Sequence, residues 1–266
     1  MKTKMDFFIK EIKGDTLTPI SILKKINGEK KFLLESSHKY NDSGRYSFIG
    51  AEPAFELISR GDRNEILKRN GEKEVIMGNS LEVLKRLIPL MDFEEYPFPF
   101  IGGAVGFVGY DIIRQYEVIG EEFPNGMEMP DVHLMFYEEV IVFDHLQDKV
   151  LICGCPLMKE SDTAVIEKRI DCRIEELKQP TFYPTEEPFN FTGFDSETTK
   201  ETFIKNVEIA KEHILAGDIF QVVLSRRMKS AFNGDPLSLY RKHRANNPTP
   251  YMFYIDFDAY TVIGSS

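Results

Sequence analysis

The chain has 266 residues, room for one large or two ordinary domains, and 42% of them are hydrophobic, enough for a sizeable core. Its 33 basic and 43 acidic residues give a net charge of −10 and a pI near 5.2, which argues against a general nucleic-acid surface and against binding an anionic membrane. No apolar run follows Lys2, Lys4 and Asp6 to act as a signal peptide, and the weakly polar stretch Pro97 to Tyr110, broken by Pro and Gly, is too short to span a bilayer, so a cytosolic (cytoplasmic) protein is expected.

The first half reads as strand-rich. Lys31–Leu34, Tyr46–Ala51, Ala54–Ser59 and Glu65–Lys68 are short strand candidates separated by Gly, Asn, Asp and Pro. Within this region FLLESS, Phe32 to Ser37, sets Glu35, Ser36 and Ser37 directly against an apolar run. A carboxylate there either marks a strand end emerging into solvent or awaits a cation that is not part of the protein, as the ammonium of a free amino acid would supply. Ser80 then caps a helix with Leu81, Leu84, Leu87 and Ile88 on one face. The glycine run GGAVGFVGYD, Gly102 to Asp111, lacks the spacing of a dinucleotide fingerprint and the closing Lys-Ser/Thr of a phosphate loop. It suits a bent strand, or one pressed closely against another backbone.

Leu134–Phe143 and Lys149–Cys153 read as a hairpin around His145–Asp148. Ser161 or Asp162 opens a helix whose Ile166, Ile170, Ile174 and Leu177 form one apolar stripe. Cys153 and Cys155, two apart on a strand, could form a metal pair, but with Cys172 they read as free thiols in a reducing compartment. His38, His133, His145, His213 and His243 show no ligand spacing and read as surface or internally satisfied side chains.

Gln179 to Phe194, with three prolines and no apolar periodicity, reads as a connector, dividing the chain into residues 1–178, a linker at 179–194, and a new unit at 195–266. The second unit opens with a helix capped by Ser196 or Thr198, with inner face Phe203, Val207, Ala210 and Ile214, stopped by Gly217. Ile219–Leu224 is solidly apolar and reads as a central strand covered on both faces. Arg226 and Arg227 at its end could hold a carboxylate, or mark a solvated edge. Asp235-Pro236 starts a helix that ends before Pro248, and Tyr251–Asp256 with Tyr260–Ile263 forms a hairpin around Asp258-Ala259. A helix and one hairpin cannot cover a new sheet, so the chain is expected to be the front part of a longer polypeptide. NNPTPYMF, Asn246 to Phe253, offers polar groups, a proline-fixed backbone and soft, flat apolar surface, chemistry complementary to the Glu35 segment. The expected fold class is α+β: an antiparallel-sheet-rich N-terminal unit followed by the start of a large two-sheet domain.

LLESS (Leu33–Ser37), GRYSFIGAEP (Gly44–Pro53), GGAVGFVGYD, GDIFQVVLSRR (Gly217–Arg227), NPTPYMFYIDF (Asn247–Phe257) and the final IGSS together resemble, in order, the large subunit of anthranilate synthase. The resemblance implies a lyase of tryptophan biosynthesis that converts chorismate and ammonia to anthranilate and pyruvate with Mg²⁺ (Mg2+). It also implies a glutamine amidotransferase subunit (component II) that supplies the ammonia, and allosteric feedback inhibition by L-tryptophan. Carried over residue by residue, the tryptophan-binding positions are Leu34, Glu35, Ser36, Pro250, Tyr251 and Met252, with Asn247 and Phe253 as further candidates.

Relatives that attack chorismate with water carry a lysine base where this chain has Gln221, whose amide has no useful basicity, so Gln221 favours the amine-using branch and a place near the nucleophile. Within that branch aminodeoxychorismate synthase is the alternative, and Tyr251-Met252-Phe253 leans toward anthranilate synthase; a non-catalytic tryptophan-sensing fragment is the alternative of another class. The family motif that continues IGSS with Pro-Glu breaks at Ser266, and the magnesium ligands and acid/base histidine are expected beyond it, so this chain alone is expected to be inactive.

Overall fold

The computed structural model describes residues 7–35, 44–88, 98–120, 126–158, 161–180 and 188–266. They form two compact units, one of Met1–Phe182 with His243–Ser266 and one of Tyr183–Lys242. This grouping differs at its far end from a division at 179–194, because the last strands pair with one of the first.

In the first unit, β1 (Phe8–Lys13), β2 (Phe32–Glu35), β3 (Tyr46–Gly50), β4 (Phe55–Arg60), β5 (Arg63–Lys68), β6 (Lys73–Met77), β7 (Gly103–Val108), β8 (Val132–Tyr137), β9 (Glu139–Asp144) and β10 (Lys149–Gly154) precede the excursion to the second unit. The second unit contributes β11 (Asn190–Ser196) and β12 (Met228–Asn233), and the chain returns to add β13 (Met252–Asp256) and β14 (Thr261–Ser265). The helices are α1 (Pro19–Lys25), α2 (Ser80–Leu87), α3 (Thr163–Lys178), α4 (Lys200–Ala216) and α5 (Pro236–Asn246). Two antiparallel sheets build the first unit, a seven-stranded one in the order β1-β10-β9-β3-β2-β13-β14 and a five-stranded one in the order β6-β5-β4-β8-β7. The α+β class dominated by antiparallel sheet is therefore observed.

The two sheets share one core, with Phe32, Val140, Val142 and Ile255 from the first and Leu57, Ile66, Val105 and Met135 from the second. Phe32 and Tyr137 meet edge to face across it, their ring centroids 4.6 Å apart. The outer face of the large sheet is covered too: α1 lies on β2 and β3, and α3 on β1, β9 and β10. Covered on both sides, β9 is buried along its whole length, which explains its nearly unbroken apolar run. Gly154 lets α3 approach, for a Cβ there would stand 2.6 Å from Ile170 Cδ1 and 2.7 Å from Ile166 Cγ2. Of the stripe expected on α3, Ile166, Ile170 and Leu177 are buried and Ile174 is half-buried.

Several local expectations are corrected. Leu134–Phe143 is two strands, since the chain passes from one sheet to the other at Glu138, a buried carboxylate that accepts from Leu157 N at 3.1 Å and from Ser161 Oγ. The caps of α2 and α4 are Asn79 and Thr199, the latter accepting from Thr202 N, and the face Phe203–Ile214 of α4 is not buried. Ile219–Leu224 is not a strand: a central strand must exchange hydrogen bonds on both sides, and no described strand pairs with it. Its Phe220 and Val223 stand exposed. Part of the expected linker is itself a strand, β11, paired with β12. Gly217 does stop α4, in the left-handed conformation at φ +83°.

Candidate functional site

β2 and β13 are antiparallel neighbours, with Met252 opposite Glu35 and Phe253 opposite Leu34. The acidic strand tip and the proline-stiffened segment, distant in sequence, are thus adjacent in the sheet. Ser36 lies outside the described residues. Pro250 is half-buried, and Tyr251, 66% exposed, exchanges backbone hydrogen bonds with Ser266, its N–H donating at 3.3 Å and its carbonyl accepting at 2.8 Å. Asn247 is exposed and donates its backbone N–H to His243 O at 2.8 Å as α5 ends.

Strand pleating splits these positions between two faces. Leu34 and Phe253 line an apolar cavity of about 490 Å³ with Phe48, Phe100, Phe107 and Val262. Phe253 also explains a glycine: a Cβ on Gly264 would lie 2.3 Å from the Phe253 ring, so the ring occupies the space a side chain would need. Glu35 and Met252 belong to the opposite face, and Ser265, the partner of Met252 on β14, continues their row. The end of α5 meets this row. His243 Nε2 is 2.8 Å from Ser265 Oγ, and Arg244 Nε lies 2.9 Å from Glu35 Oε2. Glu35 is buried, its side chain 4% exposed against 45% for Arg244. The cation beside Glu35 in this structure therefore belongs to the protein itself, which the sequence reading did not foresee. Arg244 and the cavity aromatics other than Phe253 were missed because pairing over such separation leaves no local pattern, although the alternation Phe253, Ile255, Phe257 already marks one face of a strand.

A second polar cluster lies in the same unit. Glu56 and His133 are each 5% exposed, and His133 Nε2 stands 3.0 Å from Glu56 Oε2 while Nδ1 stands 2.6 Å from the Tyr260 hydroxyl. With the proton on Nε2 donated to the carboxylate, Nδ1 is left to accept from Tyr260. Lys30 pairs with the other Glu56 oxygen. Burial pushes the Glu56 carboxyl upward, but hydrogen bonds from His133 and Lys30 outweigh it and hold the group below its ordinary range. Burial raises Tyr260 to about 12, so its hydroxyl keeps the proton it donates.

The glycine run is strand β7 followed by a turn of 3-10 helix, and a Cβ on Gly106 would lie 2.0 Å from His133 O, so close backbone approach accounts for it. Cys153 and Cys155 are buried free thiols, raised to about 12 by burial, and Cys172 is exposed. His133, His145, His213 and His243 each have a partner, in Glu56 and Tyr260, Ser47, Asp218 and Ser265; His38 lies outside the described residues. Gln221 is exposed in the 219–227 stretch, which belongs to no strand and at whose end the Arg227 carbonyl accepts from Glu197 N at 3.4 Å while Arg227 Nη1 stands 3.8 Å from Glu197 Oε2 in a solvated pair. Among the described residues no three His, Cys, Asp or Glu side chains gather as a metal-ligand set. No described helix is long and apolar enough to cross a membrane.

Comparison with known proteins identifies the family. Residues 29–266 match the family model described as chorismate binding enzyme. Anthranilate synthase component 1 of Lactococcus lactis is 34% identical, over 97% of this chain and 56% of the relative. That of Acetivibrio thermocellus is 36% identical, over 96% and 54%. The chain spans about half the length of these curated relatives. The crystal structure of anthranilate synthase component I from Streptococcus pneumoniae superposes with a TM-score of 0.72 at 32% identity, over 96% of this chain and 56% of that one. The isochorismate synthase MenF of Escherichia coli, at 14% identity and a TM-score of 0.58, shares the fold alone. With a family model covering nearly the whole chain, and relatives that fold as it does, the protein belongs to the chorismate-binding enzyme family.

Proposed function

We propose that the chain carries the amino-acid effector site of an anthranilate synthase component I. The activity it would serve turns chorismate and ammonia into anthranilate, pyruvate and water. The ammonia would come from a glutamine amidotransferase partner, and L-tryptophan would act as the feedback inhibitor. Magnesium would assist the departing hydroxyl as a Lewis acid, held by residues other than those described.

One observation carries the reading: Glu35 and Met252, from the two segments that the family likeness assigns to effector binding, are directly opposed in one sheet. An ammonium needs an acceptor, and Glu35 supplies a buried carboxylate; an indole needs polarizable apolar surface, and Met252 supplies a thioether beside it. A ligand bridging β2 and β13 biases any motion between them only through unequal affinity for two states.

Titration calorimetry of the 266-residue chain with L-tryptophan and with chorismate tests the reading. Heat with L-tryptophan and none with chorismate is expected, together with thermal stabilisation by L-tryptophan. A chain that binds chorismate alone would overturn it. Mixed with chorismate, ammonia and magnesium, the same chain is expected to form no anthranilate.

A further inference from the structure

We propose that Arg244 is the carboxylate anchor of this effector site and forms, with Glu35, a clamp for a zwitterionic α-amino acid. The inference rests on the effector reading above and adds a residue that neither the sequence motifs nor the family likeness single out.

A zwitterion brings two opposite charges on neighbouring groups, so its site needs an anion and a cation side by side. Glu35 and Arg244 meet that requirement, with Arg244 Nε 2.9 Å from Glu35 Oε2. A guanidinium has five N–H donors arranged as a fork, and the bond to Glu35 uses Nε; the fork geometry is what a carboxylate binds best. The Arg244 side chain is 45% exposed and that of Glu35 only 4%, so an arriving ligand meets the guanidinium first and the carboxylate beneath it. Met252 lies opposite Glu35 in the sheet and is itself buried, which places apolar surface next to the charged pair rather than across a gap. His243, the neighbour of Arg244 on α5, is held by Ser265 at 2.8 Å, and this contact fixes the helix end that carries the guanidinium. An amino acid with an apolar side chain matches the chemistry of this set, and an amine without a carboxylate engages only half of it.

The test compares L-tryptophan with tryptamine, which keeps the indole and the amine but has no carboxylate, in calorimetric titrations of the wild-type chain and its variants. The wild type is expected to prefer L-tryptophan by about tenfold or more, the scale of a hydrogen bond to a charged group. R244A is expected to lose about ten- to a hundredfold in L-tryptophan affinity while tryptamine changes by no more than about twofold, which erases the preference. E35Q is expected to weaken both ligands. R244K keeps the charge but not the fork and is expected to lose about three- to tenfold for L-tryptophan. Should R244A fail to fold, R244K decides the matter. A variant that binds L-tryptophan as tightly as the wild type, or more tightly, overturns the anchor and leaves the effector reading standing. A wild-type chain that binds neither ligand overturns both.

Discussion

Replacing Gly106 by alanine is expected to be among the most damaging single-methyl changes this fold can receive. The new Cβ would lie 2.0 Å from His133 O, 3.0 Å from His133 C and 3.0 Å from Leu134 Cα, all of them backbone atoms that cannot rotate away. Relief requires parting β7 from β8 by on the order of 1 Å, which breaks one or two ladder hydrogen bonds at about 1 kcal/mol each. The residue also sits at φ +156°, where an L side chain adds about 1–3 kcal/mol of backbone strain. The sum is about 2–5 kcal/mol, or roughly 4–20 °C in Tm for a unit of this size. Gly61 is the internal control, because its φ is +55° but no atom lies within 4 Å of a Cβ. G61A should cost only the left-handed penalty, about 1–2 kcal/mol. The assay is urea and thermal unfolding of both variants beside the wild type. If G106A melts level with G61A, close backbone packing is not why this glycine is there.

Two further outcomes follow from buried groups. A thiol reagent at pH 8 should modify Cys172 alone in the native chain and all three cysteines after denaturation, since thiols raised to about 12 are about one part in ten thousand thiolate; fast labelling of Cys153 in native protein would contradict its burial. Glu56 has a carboxyl held below its ordinary value of 4.5, so the stability it contributes is present above that value and is lost as pH falls through the lowered folded pKa. Urea unfolding between pH 6 and 3 should therefore show a steeper acid loss in the wild type than in E56Q, and equal slopes would refute the assignment.

Much of the first unit was legible because its physics is local. Strands such as Phe55–Arg60 are marked by apolar runs between turn residues, and α3 by its isoleucine stripe. The β13–β14 hairpin was visible around Asp258-Ala259, and Asp258 takes φ +70° in its turn. What escaped was set by partners remote in sequence. The switch of sheets at Glu138 looks continuous in sequence because β8 and β9 are both buried throughout and mostly apolar. Ile219–Leu224 has strand composition, but composition cannot supply neighbours. For the candidate site, the two segments were found through their likeness to a family, and their adjacency required the pairing of β2 with β13. Arg244 was invisible because it acts through a carboxylate brought near by that pairing.

The placement of β13 beside β2 also dictates an order of events during synthesis. The large sheet stays split at the β2 edge until β13 has been made, because the strands β3 to β12 all lie between the two partners in sequence. Until then the nascent protein presents Phe32–Glu35 as an unpaired apolar margin, the kind of surface that recruits chaperones or captures a neighbouring chain. Closing it late joins contacts of very wide sequence separation, so slow refolding and a strong demand for dilute conditions are built into the topology.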